Sequence, residues 1–238
     1  MSKPFHFKQF SITQANTAMK IGTDGVLLGA WASIKHQPNS ILDIGAGTGI
    51  ISLQLAQRSS AQLIDAIEID HNAYEDCVTN FENSIWNDRL FCYHASLQEF
   101  VDEIDESYDL IISNPPFFEP QNSIKSSART NARFTNSLNY KELLQSVRQL
   151  LNQNGKFCVI IPYQNEAKFL DIAQSVELFP TEILHVKGHK EAPIKRSLIC
   201  LEHKLRTSVE VTELTIEIER HQYTNEYFNL VKDFYLKL

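Results

Sequence analysis

The tetrapeptide Asn114-Pro115-Pro116-Phe117 is the part of the chain with the clearest chemical potential. The Asn114 side chain offers a carbonyl acceptor, and Pro115 offers a backbone carbonyl in a residue that has no N–H. Because consecutive prolines fix their φ angles, both acceptors are held in a stiff, extended segment. Two acceptors in fixed geometry suit one planar NH2 group, since accepting both hydrogens directs the nitrogen lone pair toward an electrophile. The tetrapeptide therefore predicts a site that positions a conjugated amine for transfer chemistry.

Phe117 adds an aromatic face for the ring that carries such an amine. Stacking of a base on an aromatic side chain contributes about 1–3 kcal/mol. The tetrapeptide follows the apolar run Tyr108–Ser113, which we predict to be a strand buried on both faces. The amine site would then lie at the carboxyl end of a strand, where open α/β sheets bind their ligands. The alternative interpretation is a proline-rich turn that only ends the strand.

A glycine-rich turn, Asp43–Gly49 with the sequence DIGAGTG, supplies a second candidate site between a predicted strand and a predicted helix. Glycines at alternate positions let the backbone turn sharply and approach a ligand closely. These glycines are Gly45, Gly47 and Gly49. Their spacing differs from the dinucleotide-binding fingerprint, and the turn lacks the Gly-Lys-Ser/Thr of a P-loop.

Polar residues near this turn suggest the kind of ligand. Asp43 disfavours a diphosphate and suits a cationic ligand. Glu68, at the end of the next predicted strand, can accept both ribose hydroxyls of a nucleoside. Ser96 follows the third predicted strand and is a candidate contact for adenine. The alternative is a structural glycine turn with an unrelated surface glutamate.

Strand-like and helix-like segments alternate along the part of the chain that must position these residues. We predict strands over Ser40–Gly45, Leu63–Ile69, Leu90–Ala95, Tyr108–Ser113, Lys156–Pro162, Thr181–Gly188, Arg196–His203 and Val209–Glu219. We predict helices over Val26–Trp31, Thr48–Arg58, His71–Ser84, Tyr140–Leu151, Glu166–Ser175 and Tyr227–Leu238, with Asn154-Gly155 as the stop signal of the fourth. This alternation of strands and helices predicts an α/β fold with a doubly wound, mostly parallel sheet and a C-terminal antiparallel strand pair.

Length and composition place the chain among ordinary globular proteins. Its 238 residues are 43% hydrophobic and 21% charged, which fits one α/β domain with additions. We expect no transmembrane helix and no signal peptide, because no apolar run is long enough. The four dispersed cysteines favour buried thiols in a reducing cytoplasm over a metal site or disulfides. The absence of a long apolar surface stripe favours a monomer.

The net charge of −7 argues mildly against a nucleic-acid partner, but the charges are unevenly distributed. Residues 99–109 carry only acidic charges. The later hairpin-like segment is basic and suits phosphate contacts through Lys187, Lys190, Lys195 and Arg196. The polar segment Glu119–Asn139 is a candidate lid over RNA, through Lys125, Arg129 and Arg133. The alternatives are an ordinary charged hairpin and a solvated connector.

These motifs together carry a family resemblance. DIGAGTG, the distal Glu68 and NPPF resemble the class I S-adenosylmethionine-dependent methyltransferases that act on amines. The segments FKQFSITQANTAMKIGTDGVLLGAW, PIKRSLICLEHK and NEYFNLVKDFYLKL are similar to the bacterial valine-tRNA adenine-N6 methyltransferase family. The resemblance covers nearly the whole chain. It implies a Rossmann-like fold, S-adenosylmethionine as methyl donor, S-adenosylhomocysteine as product, and tRNA as the partner methylated at the adenine 3′ of the anticodon.

The resemblance also implies a division of the single domain. Residues 1–35 would form a segment that folds over the cofactor and substrate, residues 36–180 the Rossmann-like core, and residues 181–238 the C-terminal strands and helix. Within the first segment, Lys20, Thr23 and Asp24 would lie near the cofactor or the target base. Alternatively, Thr23 or Asp24 is only the N-cap of the following apolar helix.

Three other functions share parts of this pattern. The NPPF corner also suits guanine N2 in ribosomal RNA, and related corners suit a glutamine side-chain amide in a protein. A non-catalytic RNA-binding module could keep the fold and the cofactor pocket. The intact NPPF argues against such a module, since binding alone does not require an asparagine that directs an amine.

Overall fold

A nine-stranded sheet forms the centre of the computed structural model, which describes residues 3–116 and 139–237. Its strand order is β11-β10-β8-β9-β7-β6-β3-β4-β5. The parallel part comprises β3 (Ser40–Ile44), β4 (Leu63–Glu68), β5 (Leu90–His94), β6 (Tyr108–Ser113) and β7 (Leu151–Pro162). The order reverses between β3 and β6, which confirms the expected doubly wound arrangement.

The C-terminal strands extend the sheet beyond β7. They are β8 (Phe179–His189), β9 (Ile194–Glu202), β10 (Glu210–Glu219) and β11 (Gln222–Tyr223). β9 is antiparallel to both β7 and β8, so the predicted C-terminal antiparallel pair is confirmed. β10 then runs parallel to β8. A separate two-stranded ribbon, β1 (Phe5–His6) and β2 (Ser11–Ile12), precedes the sheet in the chain.

Helices cover both faces of the sheet. They are α1 (Thr23–Trp31), α2 (Ile50–Arg58), α3 (His71–Glu82), α4 (Leu97–Glu103), α5 (Tyr140–Leu150), α6 (Glu166–Ser175) and α7 (Asn225–Val231). Neighbouring residues along a strand face opposite sides, so Ile160 packs in the core shared with α1, α2, α3 and α7. Ile161 packs in the core shared with α4, α5 and α6. Within the described ranges, no helix is both long and apolar enough to cross a bilayer.

Several helix boundaries differ from the sequence-based prediction, and one helix was missed. α1 begins at Thr23 with Gly22 as its N-cap, so the alternative interpretation of Thr23 or Asp24 as the N-cap was wrong. The last helix ends at Val231, because the chain then turns and Tyr235 forms an antiparallel bridge with Phe7. α4 was not predicted, although Ser96 and Glu99 form a capping box at its start.

Asn154-Gly155 does not end α5, which already stops at Leu150. The pair lies inside β7, at an irregularity where the register between β6 and β7 shifts. A Cβ on Gly155 would lie 2.9 Å from the carbonyl oxygen of Tyr108. The glycine is therefore needed for a close approach of two strands and not for a helix end.

Replacing Gly155 by alanine should destabilise the fold, because the added methyl group meets backbone atoms that cannot move independently. We expect a loss of about 1–3 kcal/mol in the free energy of unfolding, measured by urea denaturation. Gly188→Ala is the matched control within β8, since a Cβ there meets nothing within 4 Å. Equal midpoints for the two variants would contradict this account of the irregularity in β7.

Candidate active site

The reversal of strand order creates a crevice between the carboxyl ends of β3 and β6. The glycine-rich turn leaves β3 at this edge, and Asn114 leaves β6 directly beside it. The Ser113 hydroxyl donates a buried hydrogen bond of 2.8 Å to the carbonyl oxygen of Ile44, which ties the two strand ends together. Asn114 is half-buried, Pro115 is buried and Pro116 is exposed. The two candidate sites predicted from the sequence thus face one crevice.

The glycine turn adopts backbone angles that side chains disfavour. The φ angles are +72° at Gly45, +58° at Gly47 and +77° at Gly49, in the left-handed region. A Cβ on Gly45 or Gly47 would meet nothing within 4 Å, so at both positions there is open space beside the backbone. A Cβ on Gly49 would lie 2.5 Å from Phe81 Cε1. Gly45 and Gly47 therefore leave room for a ligand, whereas Gly49 is required by packing against α3.

Glu68 holds the far side of the turn. Its Oε2 accepts a 2.8 Å hydrogen bond from the backbone N–H of Gly47, and its Oε1 accepts one of 2.8 Å from the N–H of Asp70. Glu68 is 8% exposed, so its carboxylate does not lie on the open surface. Gly47 and Glu68, which were predicted to share a ligand, are in direct contact.

Asp43 lies near the end of β3, where the glycine-rich turn begins, and it is fully buried. Its Oδ2 accepts hydrogen bonds of 2.7 Å from the Ser52 hydroxyl and 3.2 Å from the Ser52 N–H. Oδ1 has no hydrogen-bond partner among the described residues. Burial raises the pKa of Asp43 to about 7, against the lowering effect of Ser52 and with a further rise from the charge of Glu68. Burial thus favours the protonated carboxyl, so Asp43 links the end of β3 to the first turn of α2 mainly through its hydrogen bonds to Ser52.

The segment before α1 is fixed to α3 by two buried polar side chains. Asp76 Oδ2 accepts hydrogen bonds from the backbone N–H groups of Asn16 and Thr17, at 3.0 and 2.9 Å. Asn80 accepts a hydrogen bond of 2.7 Å from the N–H of Thr13. This segment is therefore part of the folded domain.

Asn80 also joins this segment to the glycine turn. Its amide nitrogen donates to the carbonyl oxygens of Thr13 and Thr48, both at 2.9 Å. The Lys20 ammonium donates to the carbonyls of Gln14 and Thr17, at 2.5 and 2.9 Å. Lys20 thus stabilises the segment in which it lies.

The first turn of α1 packs over Asn114. A Cβ on Gly25 would lie 4.0 Å from Asn114 Nδ2. The adjacent Asp24 forms an ion pair with Arg196 at the start of β9, with 2.9 Å between Oδ2 and Nε. Thr23 is the first residue of the helix. Asp24 and Arg196 were predicted to contact different ligands, and the structure joins them above the crevice.

The remaining predicted site residues contact neither the glycine turn nor Asn114 in the described part of the chain. Ser96 caps α4, and its hydroxyl donates a 2.7 Å hydrogen bond to Glu99. The ammonium of Lys187 lies 2.6 Å from a Glu213 carboxylate oxygen on β10. Lys190 is an exposed residue of the turn between β8 and β9, and Lys195 lies exposed at the start of β9. The predicted contacts Phe117, Lys125, Arg129 and Arg133 fall outside the described residues.

Sequence reasoning missed Asp76 and Asn80, which are each 2% exposed. They lie four positions apart on α3, on the same face as the buried residues Ala73, Cys77 and Phe81. A polar pair on an apolar helix face must find hydrogen-bond partners, so its spacing was a usable signal for a bound backbone segment.

Comparisons with known proteins agree with this fold and show that the chain is a methyltransferase. Residues 19–180 match the family model described as the methyltransferase small domain. A protein from Agrobacterium tumefaciens, described as a predicted O-methyltransferase, superimposes with a TM-score of 0.69 at 17% identity. The superposition covers 89% of this chain and 96% of that protein, and it shows a shared fold.

Closer relatives narrow the class. A Christiangramia forsetii protein is 57% identical over 100% of this chain and 99% of its own length. A Trichodesmium erythraeum protein is 46% identical over 98% of both chains. Both are named tRNA1(Val) (adenine(37)-N6)-methyltransferase. The chain belongs to the methyltransferase small domain family and, within it, to the family of these tRNA1(Val) (adenine(37)-N6)-methyltransferases.

The raised pKa of Asp43 predicts a pH dependence of stability. Between its usual pKa near 3.8 and its folded value of about 7, the folded protein holds a proton that the unfolded chain has lost. The contribution of Asp43 to stability should therefore fall as the pH rises across that window. Asp43→Asn removes this titration, so its unfolding free energy should decline less than that of the wild type between about pH 5 and about pH 7. Urea denaturation at both pH values measures the difference, and parallel declines would refute it.

Proposed function

We propose that this protein transfers a methyl group from S-adenosylmethionine to the N6 amine of the adenine 3′ of the anticodon in valine tRNA. One observation carries the proposal: Asn114, followed by two prolines, stands at the same crevice as the open glycine turn. The names of the relatives at 57% and 46% identity support the choice of substrate.

The residues around the glycine turn suit the proposed methyl donor. The open space at Gly45 and Gly47 admits a ligand against the backbone, and the Glu68 carboxylate can accept ribose hydroxyls there. The buried Asp43 carboxyl group disfavours a phosphate, and a cationic ligand would favour its ionised form. Lys20, Thr23 and Asp24 remain proposed contacts for the cofactor or the target base. Ser96 remains a proposed contact for the adenine of the cofactor. When bound, S-adenosylmethionine supplies a methyl carbon on a cationic sulfur that is already a good leaving group.

Asn114 and Pro115 then position the acceptor amine. The Asn114 carbonyl oxygen and the Pro115 backbone carbonyl accept the two N6 hydrogens, which concentrates the lone pair on the side facing the donor. No charged base is needed before attack, because the cationic methylated amine readily loses a proton to water. The main contribution of the chain is to hold both reactants in place.

The target base has to leave its stack to reach this crevice. Extrusion costs a few kcal/mol and is easier in a loop than in a duplex. Stacking on Phe117 is the proposed compensation. The β8–β9 hairpin places Lys187, Lys190 and Lys195 at the same edge of the sheet, where they can contact phosphates. Arg196, which is paired with Asp24, adds a further positive charge at this edge. Lys125, Arg129 and Arg133 remain predicted RNA contacts. We expect the enzyme to act as a monomer.

Asn114→Ala should abolish methyl transfer and leave binding of S-adenosylmethionine nearly unchanged, because it removes one acceptor for the amine and no part of the glycine turn. Isothermal titration measures the binding, and tritium transfer to valine tRNA measures turnover. Asn87→Ala, at an exposed asparagine beyond α3, is the matched control and should retain activity. Methylation by Asn114→Ala at near the wild-type rate would reject Asn114 as the residue that positions the amine.

Nucleoside mass spectrometry of tRNA from cells with and without this protein tests the substrate. We expect N6-methyladenine at the position 3′ of the anticodon to disappear from valine tRNA in the deletion strain. In vitro, labelled methyl transfer should reach total RNA and not a protein extract. Label in ribosomal RNA or protein would overturn the tRNA assignment, and binding of the methyl donor without any transfer would indicate a non-catalytic module.

A further inference from the structure

An exposed aromatic side chain stands at the same edge of the sheet as Asn114. Tyr163 directly follows Pro162, the last residue of β7, and it begins a short 3-10 turn. Because β7 is the parallel neighbour of β6, both strands end at this edge. Tyr163 is 41% exposed, so part of its ring is accessible to a ligand.

The Tyr163 ring is held in place by a contact with His185 of β8. It packs edge-to-face on His185 of β8, with 5.1 Å between ring centroids and 82° between ring planes. His185 Nε2 lies 2.8 Å from a carboxylate oxygen of Glu166, which also accepts a hydrogen bond from the Ser197 hydroxyl. Both His185 and Glu166 are half-buried. A ring fixed in this way loses little conformational freedom when a ligand stacks on its outer face.

Basic residues of the β8–β9 hairpin lie at the same edge of the sheet as this ring. The antiparallel β8–β9 hairpin rises from the same edge, because β8 ends where β7 ends and β9 returns from it. Lys187, which lies two positions beyond His185 on β8, is paired with Glu213, whereas Lys190 in the turn and Lys195 near the start of β9 are exposed. An aromatic platform beside lysines is the combination that binds single-stranded nucleic acid, with stacking on the ring and phosphates on the cations.

The strand register separates this ring from the amine-binding corner. Ser113 pairs with Val159, so Asn114 lies one residue beyond the pair and Tyr163 lies four residues beyond it. β7 itself ends at Pro162, two residues or about 7 Å beyond the level of Asn114, and Tyr163 follows in the turn that begins there. Tyr163 is therefore displaced from the position of a base whose amine contacts Asn114, in the direction of the basic hairpin.

We propose that Tyr163 is a substrate-positioning residue that stacks on an unpaired anticodon-loop nucleotide flanking the target adenine. The proposal rests on the proposed function and adds to it a contact that holds the loop while the target base is extruded. It assigns to Tyr163 a role in RNA affinity and none in the chemistry at the amine.

Tyr163→Ala tests this role in steady-state kinetics with unmodified valine tRNA. We expect KM for tRNA to rise about tenfold and kcat to stay within about twofold, because the lost stacking precedes the chemical step. Tyr163→Phe keeps the stacking face and should restore KM to within about threefold of the wild type. Phe91→Ala is the matched control, since it removes a ring of similar exposure (43%) from β5 at the far edge of the sheet.

Three results would overturn the inference while the wild type methylates tRNA: an unchanged KM for Tyr163→Ala, an equal rise in Phe91→Ala, or an equal rise in Tyr163→Phe. Thermal unfolding and S-adenosylmethionine binding should match the wild type in every variant, and a loss of either in Tyr163→Ala would assign the ring a structural role instead. Failure of the wild type itself to methylate tRNA would reject the proposed function, which separates the two conclusions.

Discussion

The parallel pairing of β3 with β6 is the constraint on which the rest of the site depends. Because the strand order reverses there, the loops that follow the two strands diverge to opposite sides and leave a crevice between them. The hydrogen bond from Ser113 to the Ile44 carbonyl fixes the relative height of the two strand ends. A shift of one residue in this register would move Asn114 by about 3.3 Å and turn its side chain to the other face of the sheet. Backbone pairing thus sets the position of Asn114 relative to the glycine turn.

Buried polar side chains also fix the cover of the crevice, which consists of the segment before α1 and the first turn of α1. Asn80 holds both the glycine turn and the segment before α1, and Asp76 holds the same segment at two more backbone N–H groups. Both side chains are enclosed in protein, so breaking these hydrogen bonds would leave buried groups unsatisfied. The first turn of α1 is held from the other side, through the ion pair of Asp24 with Arg196. The cover is therefore held by α3 on one side and by β9 on the other, so its position over Asn114 does not depend on a single contact.

Local patterns in the sequence predicted the elements that build the crevice, because each is governed by its own residues. The apolar run of β6 and the alternating glycines after β3 are examples, and the helix over Glu166–Ser175 was predicted with its observed bounds. The errors arose where distant residues decide the outcome. Gly155 is a usual helix-stop residue, but the strand opposite it requires a glycine inside β7. The partnership of Asp24 with Arg196 joins residues at opposite ends of the chain, and no local pattern indicates which charges will meet.

Catalysis and substrate choice place different demands on this architecture. A corner that offers two acceptors to an amine recognises what adenine N6 and guanine N2 have in common, so it contributes little to the choice between them. It also needs no charged base, and the two carboxylates nearest the glycine turn are engaged in structural contacts, Asp43 with Ser52 and Glu68 with Gly47. Under the proposed function, selection of the RNA comes from contacts outside the corner, and we assign these to the β8–β9 hairpin and the end of β7. The corner would then keep its chemistry, while the proposed contacts at the edge of the sheet determine which amine is presented to it.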